Sequence, residues 1–505
     1  MSFFAVLLLL TGACGEEVRH LPGRTGSIAL RLHTPPEQDP FRDVAVLQFI
    51  VRGSDGESVT FEADVAQADI DIPASLGDGL SLEILGLDVR ARPVASGASA
   101  PFDLAEGQQV SLDVLFARTG EFARLGPLAR ARSGHAAAPL PDGRVLIFGG
   151  VGGAEGEDPS WAPPEIYDPR VGARCGGADN PCPSFPASDL RIGHTATPMQ
   201  NGRVLIFGGE GPGGIISPPA LVFDAPSGQF RELVGLDLSR VRPRAHHATA
   251  LLPAQGPERE RVLVAGGEID LDGRRQLTAS GLLFDTQTET FVLTGADLAQ
   301  ARKDHTLTAF GARALAAGGI GVTGLLAEVE IFEGTSFAGA VPVGEGARNG
   351  LRRPRTRHVA IPLGGGVLIL GGEDGLLSLD DPEWFTWESG AGRGVFDVRV
   401  DTPAEWHRPR SGALQGKLAQ GAVLFAGGVH SDGFTETFLD SAESFEFSET
   451  EMAGRFSGGG ALPRGLAFSP AVTLPGGMLL FCGGQVREQD RLLASDEVWI
   501  YNPPR

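Results

Sequence analysis

Seven arginines recur along the last three quarters of this 505-residue chain, at Arg132, Arg191, Arg244, Arg302, Arg355, Arg410 and Arg464. A guanidinium presents a rigid fork of donors that matches a carboxylate bidentately, so a ring of such forks would bind an acidic ligand. The competing reading is structural and pairs each fork with an acid of a neighbouring copy of the repeat, such as Glu165, Glu330 or Glu443. Three residues after five of these arginines stands a histidine, His135, His194, His247, His305 and His358, with Ala413 and Ala467 in its place in the last two copies. Metal ligands must converge within about 2.1 Å of one ion, whereas residues at one position of separate copies lie apart. Structural histidines and no metal site are therefore expected, and His246 beside His247 changes little. Asp270 with Asp272, and the pair Asp380-Asp381, offer fewer oxygens than the roughly 6–8 that calcium takes.

A repeat must position these residues. Each arginine is followed, mostly at 16 or 17 residues, by an apolar run closing in Gly-Gly: VLIFGG to Gly150, VLIFGG to Gly209, VLVAGG to Gly267, ALAAGG to Gly319, LILGG to Gly372, VLFAGG to Gly428 and LLFCGG to Gly484. Successive pairs are 59, 58, 52, 53, 56 and 56 residues apart. Downstream comes an aromatic, usually beside an acid, as in EIYDP (Tyr167), LVFDA (Phe223), LLFDT (Phe284), EIFEG (Phe332), ESFEF (Phe445) and WIYNP (Tyr501); the fifth copy, near Trp384 and Trp387, is irregular. Runs such as Val145-Leu146-Ile147-Phe148 suit strands buried on both faces. Glycine at 72 positions and proline at 36 disfavour helices, since each interior helical Gly costs ~1 and each Pro ~3 kcal/mol. The fold class read from this is all-β.

The succession of arginine, His-Ala-Ala-Ala-type strand, apolar strand to Gly-Gly, aromatic strand and Gly-x-Phe strand resembles the kelch repeat. The resemblance implies a seven-bladed kelch-type β-propeller over residues 119–505, each copy folding into one four-stranded blade. It also implies that the arginines approach one mouth of the channel, where some binding members hold acidic peptides. The seventh copy runs to Arg505 without a fourth strand, and GEFARLGPL (Gly120 to Leu128) reads as that strand. Residues 120–128 are thus expected to close the last blade and remove an exposed edge. Kelch oxidases resembling galactose oxidase need two tyrosines and two histidines on copper, but Tyr167 and Tyr501, the two tyrosines of this chain, both occupy the repeat's aromatic position. The glycine strings Gly209 to Gly214 and Gly319 to Gly324 lead to strands and not to the helix N-terminus that a pyrophosphate needs. No cofactor is expected.

Ahead of the repeats, residues 27–117 alternate apolar and polar side chains in short runs, SIALRLH, VAVLQFIVRG and VSLDVLFA among them. A small N-terminal β-sandwich, similar to transthyretin-like or immunoglobulin-like modules, is expected there. Residues 1–13 read as a signal peptide, because the apolar run from Phe3 to Leu10 is much shorter than the ~20 residues of a membrane span. Leu10-Thr11-Gly12-Ala13-Cys14 resembles the lipobox of bacterial lipoproteins, which implies lipidation of Cys14; the alternative is ordinary cleavage near Ala13. Residues 14–26 would be a tether. In an oxidising compartment Cys175 and Cys182, flanking a Gly/Pro/Asn loop, are expected to form a disulfide, whereas Cys482 reads as a buried small hydrophobe. A formal net charge of −21 argues against nucleic acid. The expectation is an exported protein of the bacterial cell envelope, an outer-membrane lipoprotein or a periplasmic or extracellular protein, touching membrane through its lipid alone. It would act as a binding or scaffold protein for a protein or glycan, with an acidic ligand suiting the arginines. The alternative is a carbohydrate-active enzyme, an epimerase or lyase on an anionic saccharide at the channel mouth.

Overall fold

The computed structural model describes residues 6–8, 25–63, 70–73, 77–154, 156, 158–174, 185, 190–216, 220–254, 259–339, 346–388, 392–401, 407–418 and 421–505. Cys14, Cys175 and Cys182 lie outside these residues. The described chain is all-β, with helix confined to short turns such as Pro212–Gly214 and Pro475–Gly477.

The N-terminal segment departs from the expected pair of sheets. Its strands run in one order, Val6–Leu8, Thr25–His33, Gln109–Arg118, Pro93–Ala98, Ser81–Leu87, Val46–Arg52 and Ser58–Ala63, with Ile70–Pro73 also on Thr25–His33. The ten-residue strand Gln109–Arg118 is long enough to serve two neighbours. Its first part pairs parallel with Ser27–His33, and its last three residues pair antiparallel with Ala95–Gly97. The sheet thereby curls on itself, so that Ile28, Leu30 and Leu32 meet Leu47, Phe49, Leu82 and Ile84 in one apolar cluster.

Seven further sheets of four or five strands follow among the described residues, with smaller two- and three-stranded sheets beside them. The first combines Ala136–Pro139, Val145–Phe148, Glu165–Asp168 and Ala173–Arg174, and the second Thr195–Pro198, Arg203–Phe207, Leu221–Asp224 and Gln229–Glu232. In the third to sixth the strands ending in Gly-Gly are Arg261–Ala265, Arg313–Ala317, Gly366–Leu370 and Ala422–Ala426, each second or third in from an edge. The seventh combines Ala471–Thr473, Leu479–Cys482 and Val498–Asn502 with Glu121–Arg124, as the sequence leads one to expect of residues 120–128. Register resolves the irregular fifth copy: Phe385 faces Val367 just as Tyr167 faces Val145, which makes Phe385 its aromatic and Glu383 its acid.

Apolar clusters lie between consecutive sheets. Leu146, Phe148 and Ile166 pack on Val204, Ile206 and Phe223 at the first junction. At the last, Leu480, Cys482 and Ile500 of the seventh sheet pack on Val145, Ile147 and Tyr167 of the first. The curled N-terminal sheet joins the same cluster through Leu115 and Ala117. It is also tied by buried Asn502, whose amide donates to the carbonyls of Ser96 (3.2 Å) and Ala117 (2.7 Å).

Because Leu125 and Leu128 are buried and Phe122 stacks 4.9 Å from Tyr501, a variant lacking residues 120–128 loses both a strand and part of a core. Its thermal unfolding is expected well below that of the parent; an unchanged melt would show the strand to be dispensable.

Candidate functional site

The arginine ring is corrected by the structure. Arg132, Arg191, Arg244, Arg302 and Arg355 are fully buried and Arg410 is 3 % exposed, so these six are closed to a ligand. Each enters its own sheet and donates to the carbonyl of the first glycine of the Gly-Gly pair: Gly149, Gly208, Gly266, Gly318, Gly371 and Gly427, at 2.8–3.1 Å. Four then meet the acid of the aromatic strand, Arg132 with Glu165 (3.0 Å), Arg302 with Glu330 (2.6 Å), Arg355 with Glu383 (2.7 Å) and Arg410 with Glu443 (2.6 Å). The carboxylates also accept backbone N–H groups just upstream, those of Ala129, Ala299, Arg352 and Arg408. Arg244, whose copy has Leu282 at the acid's position, donates instead to the carbonyl and hydroxyl of Ser280. Burial lowers its pKa to about 10, which leaves it charged at neutral pH.

Arg464 is out of register. The second glycine of each pair donates to the carbonyl of the next sheet's arginine, Gly150 to Arg191, Gly209 to Arg244, Gly267 to Arg302, Gly319 to Arg355 and Gly372 to Arg410. Gly428 donates to Leu466, and Gly484 donates to Arg132, so the succession returns to its start. Leu466 therefore holds the arginine's place in the seventh sheet, and Ser469, not Ala467, holds the histidine's. Arg464, two residues upstream, is half-buried and pairs with Glu497 (3.2 Å) and Glu488. Glycine is required at the first position of the pair: a Cβ on Gly149 would lie 2.3 Å from the carbonyl oxygen of Arg191, and φ is +69°.

The five aligned histidines are buried and reach between sheets. His135 donates to the carbonyl of Cys482 (2.9 Å) and His194 to that of Phe148 (3.0 Å), while Nε2 of His247 and of His358 meets Thr195 and Thr306 of the preceding sheet. Burial, helped by the neighbouring arginines, lowers the pKa of His135, His194, His305 and His358 to about 3. Among the described residues no cluster of three metal-ligating side chains exists. Burial likewise raises the Cys482 thiol to about 12, as suits an inert core cysteine.

Chemistry-bearing groups gather instead two residues after each arginine position. This residue has a positive φ in every copy: Gly134 (68°), Gly193 (63°), His246 (56°), Asp304 (50°), Arg357 (54°), Gly412 (59°) and Phe468 (55°). Left-handed backbone is uncommon for residues other than glycine, and costs of order 1–3 kcal/mol where the residue does not suit it. Backbone hydrogen bonds link the row in two runs, His246 N–H to Gly193 and Asp304 N–H to His246, then Gly412 N–H to Arg357 and Phe468 N–H to Gly412. Side chains lean over the preceding copy, with the imidazole of His246 over Gly193 and the ring of Phe468 over Gly412. His246 Nδ1 lies 3.2 Å from Asp304, and Arg357 lies over Phe468 at 5.1 Å.

In three copies the residue after the Gly-Gly pair supplies a surrounding acid. Glu210 lies 3.6 Å from His246 Nε2 and also pairs with Arg275. Glu268 holds Lys303 (2.6 Å) and Arg275 (3.2 Å), and Glu373 holds Arg357 (3.2 Å) and the Ser411 hydroxyl (3.0 Å). The hydrogen bond that His246 donates to Asp304, against the opposing effect of burial, raises the His246 pKa. Burial opposes ionisation of Asp304 in turn, but the bond and charge of His246 hold its carboxyl below the ordinary value. Beyond this row, short hairpins project with apolar tips, Leu376 and Leu377 beside the fully exposed Phe434. The sequence reading missed these residues. Their signal was the position itself, glycine in three copies and His, Asp, Arg or Phe in the other four.

No protein-family model and no curated protein matches the chain. Among solved structures it is similar to one described as "Structure of YjhT", with 12% sequence identity and a TM-score of 0.45, over 75% of this chain and 97% of that one.

Two outcomes follow from the buried groups. Arg302→Ala strands Glu330 and is expected to cost ~3–5 kcal/mol, Arg302→Met with Glu330→Leu to recover part of that, and Arg464→Ala to cost only ~0–1 kcal/mol in denaturant titrations. The histidines take up protons in the unfolded chain below about pH 6.5 and in the native fold only near pH 3. Stability should therefore rise with pH across that window, by up to ~1.4 kcal/mol per pH unit for each histidine. Melting temperatures measured from pH 7 to pH 5 should fall, and fall less steeply in His194→Gln.

Proposed function

We propose that this chain is an exported, lipid-anchored, seven-bladed kelch-type propeller that binds a protein or glycan on the face where His246, Asp304, Arg357 and Phe468 meet. The propeller reading is supported by the series of glycine-to-arginine hydrogen bonds that ends with Gly484 on Arg132, and by apolar clusters that run from sheet to sheet and from the last to the first. In that architecture the left-handed row encircles one mouth of the axis. The observation that carries the binding reading is its composition: four copies place a charged or aromatic side chain on backbone that three others give to glycine. Such backbone is retained where the surrounding structure holds it for a purpose other than stability. Apolar hairpin tips at Leu376, Leu377 and Phe434 extend the face outward.

The enzymatic alternative draws on the His246–Asp304 pair, a titratable base held by a carboxylate at the same mouth. An epimerase or lyase acting on an anionic saccharide would use it as its proton acceptor. The two readings separate on a single preparation. Immobilised full-length protein should bind fractionated envelope polysaccharide or envelope protein saturably, His246→Asn should weaken that binding, and the ligand should be recovered unchanged by NMR. Chemical conversion of the ligand would favour the enzyme, and no saturable response to either fraction would contradict the binding reading.

Anchoring follows from the Cys14 motif. Cys14→Ser is expected to move the protein from the membrane fraction to the soluble one; a parent already soluble would leave simple export.

A further inference from the structure

The geometry points to a neutral saccharide ring as the ligand of this mouth, with Phe468 as its stacking platform and Asp304, His246 and Arg357 as its hydrogen-bonding rim. The inference rests on the binding reading above and names the ligand class. Its first ground is charge. The mouth carries the acids Glu210, Glu268, Asp304 and Glu373 and the bases Lys303, Arg275 and Arg357, with His246 as the titrating fourth. Four carboxylates stand against three permanent bases and one imidazole, so the face offers an anion no excess of positive charge. The buried arginines, which would have given the face an excess of positive charge, are spent on glycine carbonyls and glutamates.

The second ground is the alternation of donors and acceptors. Around the row, Glu210 accepts, His246 donates, Asp304 accepts, Arg357 donates and Glu373 accepts. A hydroxyl is donor and acceptor at once, so vicinal hydroxyls can bridge such an alternating rim without leaving a charge unpaired. A carboxylate or an ammonium could satisfy only half of it. Arg357 remains 53 % exposed with one arm of its fork on Glu373, leaving other donors directed to solvent.

The third ground is the aromatic. Phe468 sits on left-handed backbone at φ 55°, two residues after Leu466, where the copies preceding and following it in the row have only glycine, Gly412 and Gly134. Its ring packs on Gly412, where any side chain would collide with it, and the Arg357 guanidinium lies 5.1 Å from the ring centroid. The apolar face of a sugar ring matches a half-buried phenyl edge flanked by hydrogen-bonding groups.

The test is a printed array of neutral hexose and N-acetylhexosamine oligosaccharides beside uronic-acid oligosaccharides, probed with labelled full-length protein, followed by calorimetry with the best-retained glycan. Polyglutamate serves as the acidic peptide. Neutral glycans should be retained, and Phe468→Ala and Asp304→Asn should each weaken binding by at least tenfold with unchanged melting temperature. Asn tolerates left-handed backbone, so Asp304→Asn keeps the fold. Retention of uronic-acid glycans or polyglutamate in place of neutral ones would overturn the ligand class and leave the binding reading standing. Neutral binding untouched by both variants would overturn the site. An array on which no glycan is retained would overturn the saccharide inference, while the envelope-protein arm of the preceding experiment would still decide the binding reading.

Discussion

The rest of the molecule depends on a buried guanidinium that fastens the start of a sheet to its middle. In six copies an arginine reaches the carbonyl of the first glycine of the Gly-Gly pair, and in four of these it is held by a glutamate of the aromatic strand. A charge removed from water is tolerated only when its hydrogen bonds and counter-charge are provided, and here both come from neighbouring strands of the same sheet. The same arginine's own carbonyl then accepts the N–H of the preceding sheet's second glycine. One residue thus joins strands within a sheet through its side chain and joins sheets through its backbone. Glycine is obligatory at the junction because the carbonyl approaches where a Cβ would stand.

This constraint also shapes the face that we assign to binding. Once the arginine is fixed, the chain must turn sharply to begin its first strand, and it does so two residues later through left-handed backbone in every copy. The turn is a framework demand, and what occupies it is not. Glycine fulfils the demand in three copies, and the other four carry His246, Asp304 and Arg357 in succession and, beyond Gly412, Phe468. The histidine three residues after five of the arginines has the opposite character, being buried and neutral, and four of the five bond to the preceding sheet. Adjacent imidazoles, His246 and His247, therefore divide between surface chemistry and core.

Much of the framework was legible in the sequence. The spacing of arginine and Gly-Gly was read correctly and Glu165, Glu330 and Glu443 were the right acids, but each pairs with the arginine of its own sheet and not, as expected, with that of a neighbouring copy. Arg464 misled because residue type was matched ahead of spacing. It stands 19 residues before Gly483, whereas Leu466 stands at 17, as Arg132 does before Gly149. An apolar side chain removes the need for the acid, and the displaced Arg464–Glu497 pair forms nearer the surface. The N-terminal segment was legible as strands but not as one curled sheet, since alternation does not reveal that Gln109–Arg118 changes partner along its length. The residues of the left-handed row escaped because a dihedral angle leaves no mark on a non-glycine residue, and a lone His, Asp, Arg or Phe in a turn reads as ordinary surface.

The central claim, that bonds from the second glycine to the carbonyl at the arginine position tie every sheet to the next and the last to the first, is tested most directly by hydrogen exchange followed by mass spectrometry. Peptides over 479–484 and 130–135 report the junction between the seventh and first sheets, and peptides over 203–209 and 242–247 report an internal one. If the same bonds close both, the two junctions should be protected alike and exchange together as the molecule opens globally. Fast exchange at residues 479–484 and 130–135 alone would contradict the account, showing that the bond from Gly484 to Arg132 does not hold the ends together.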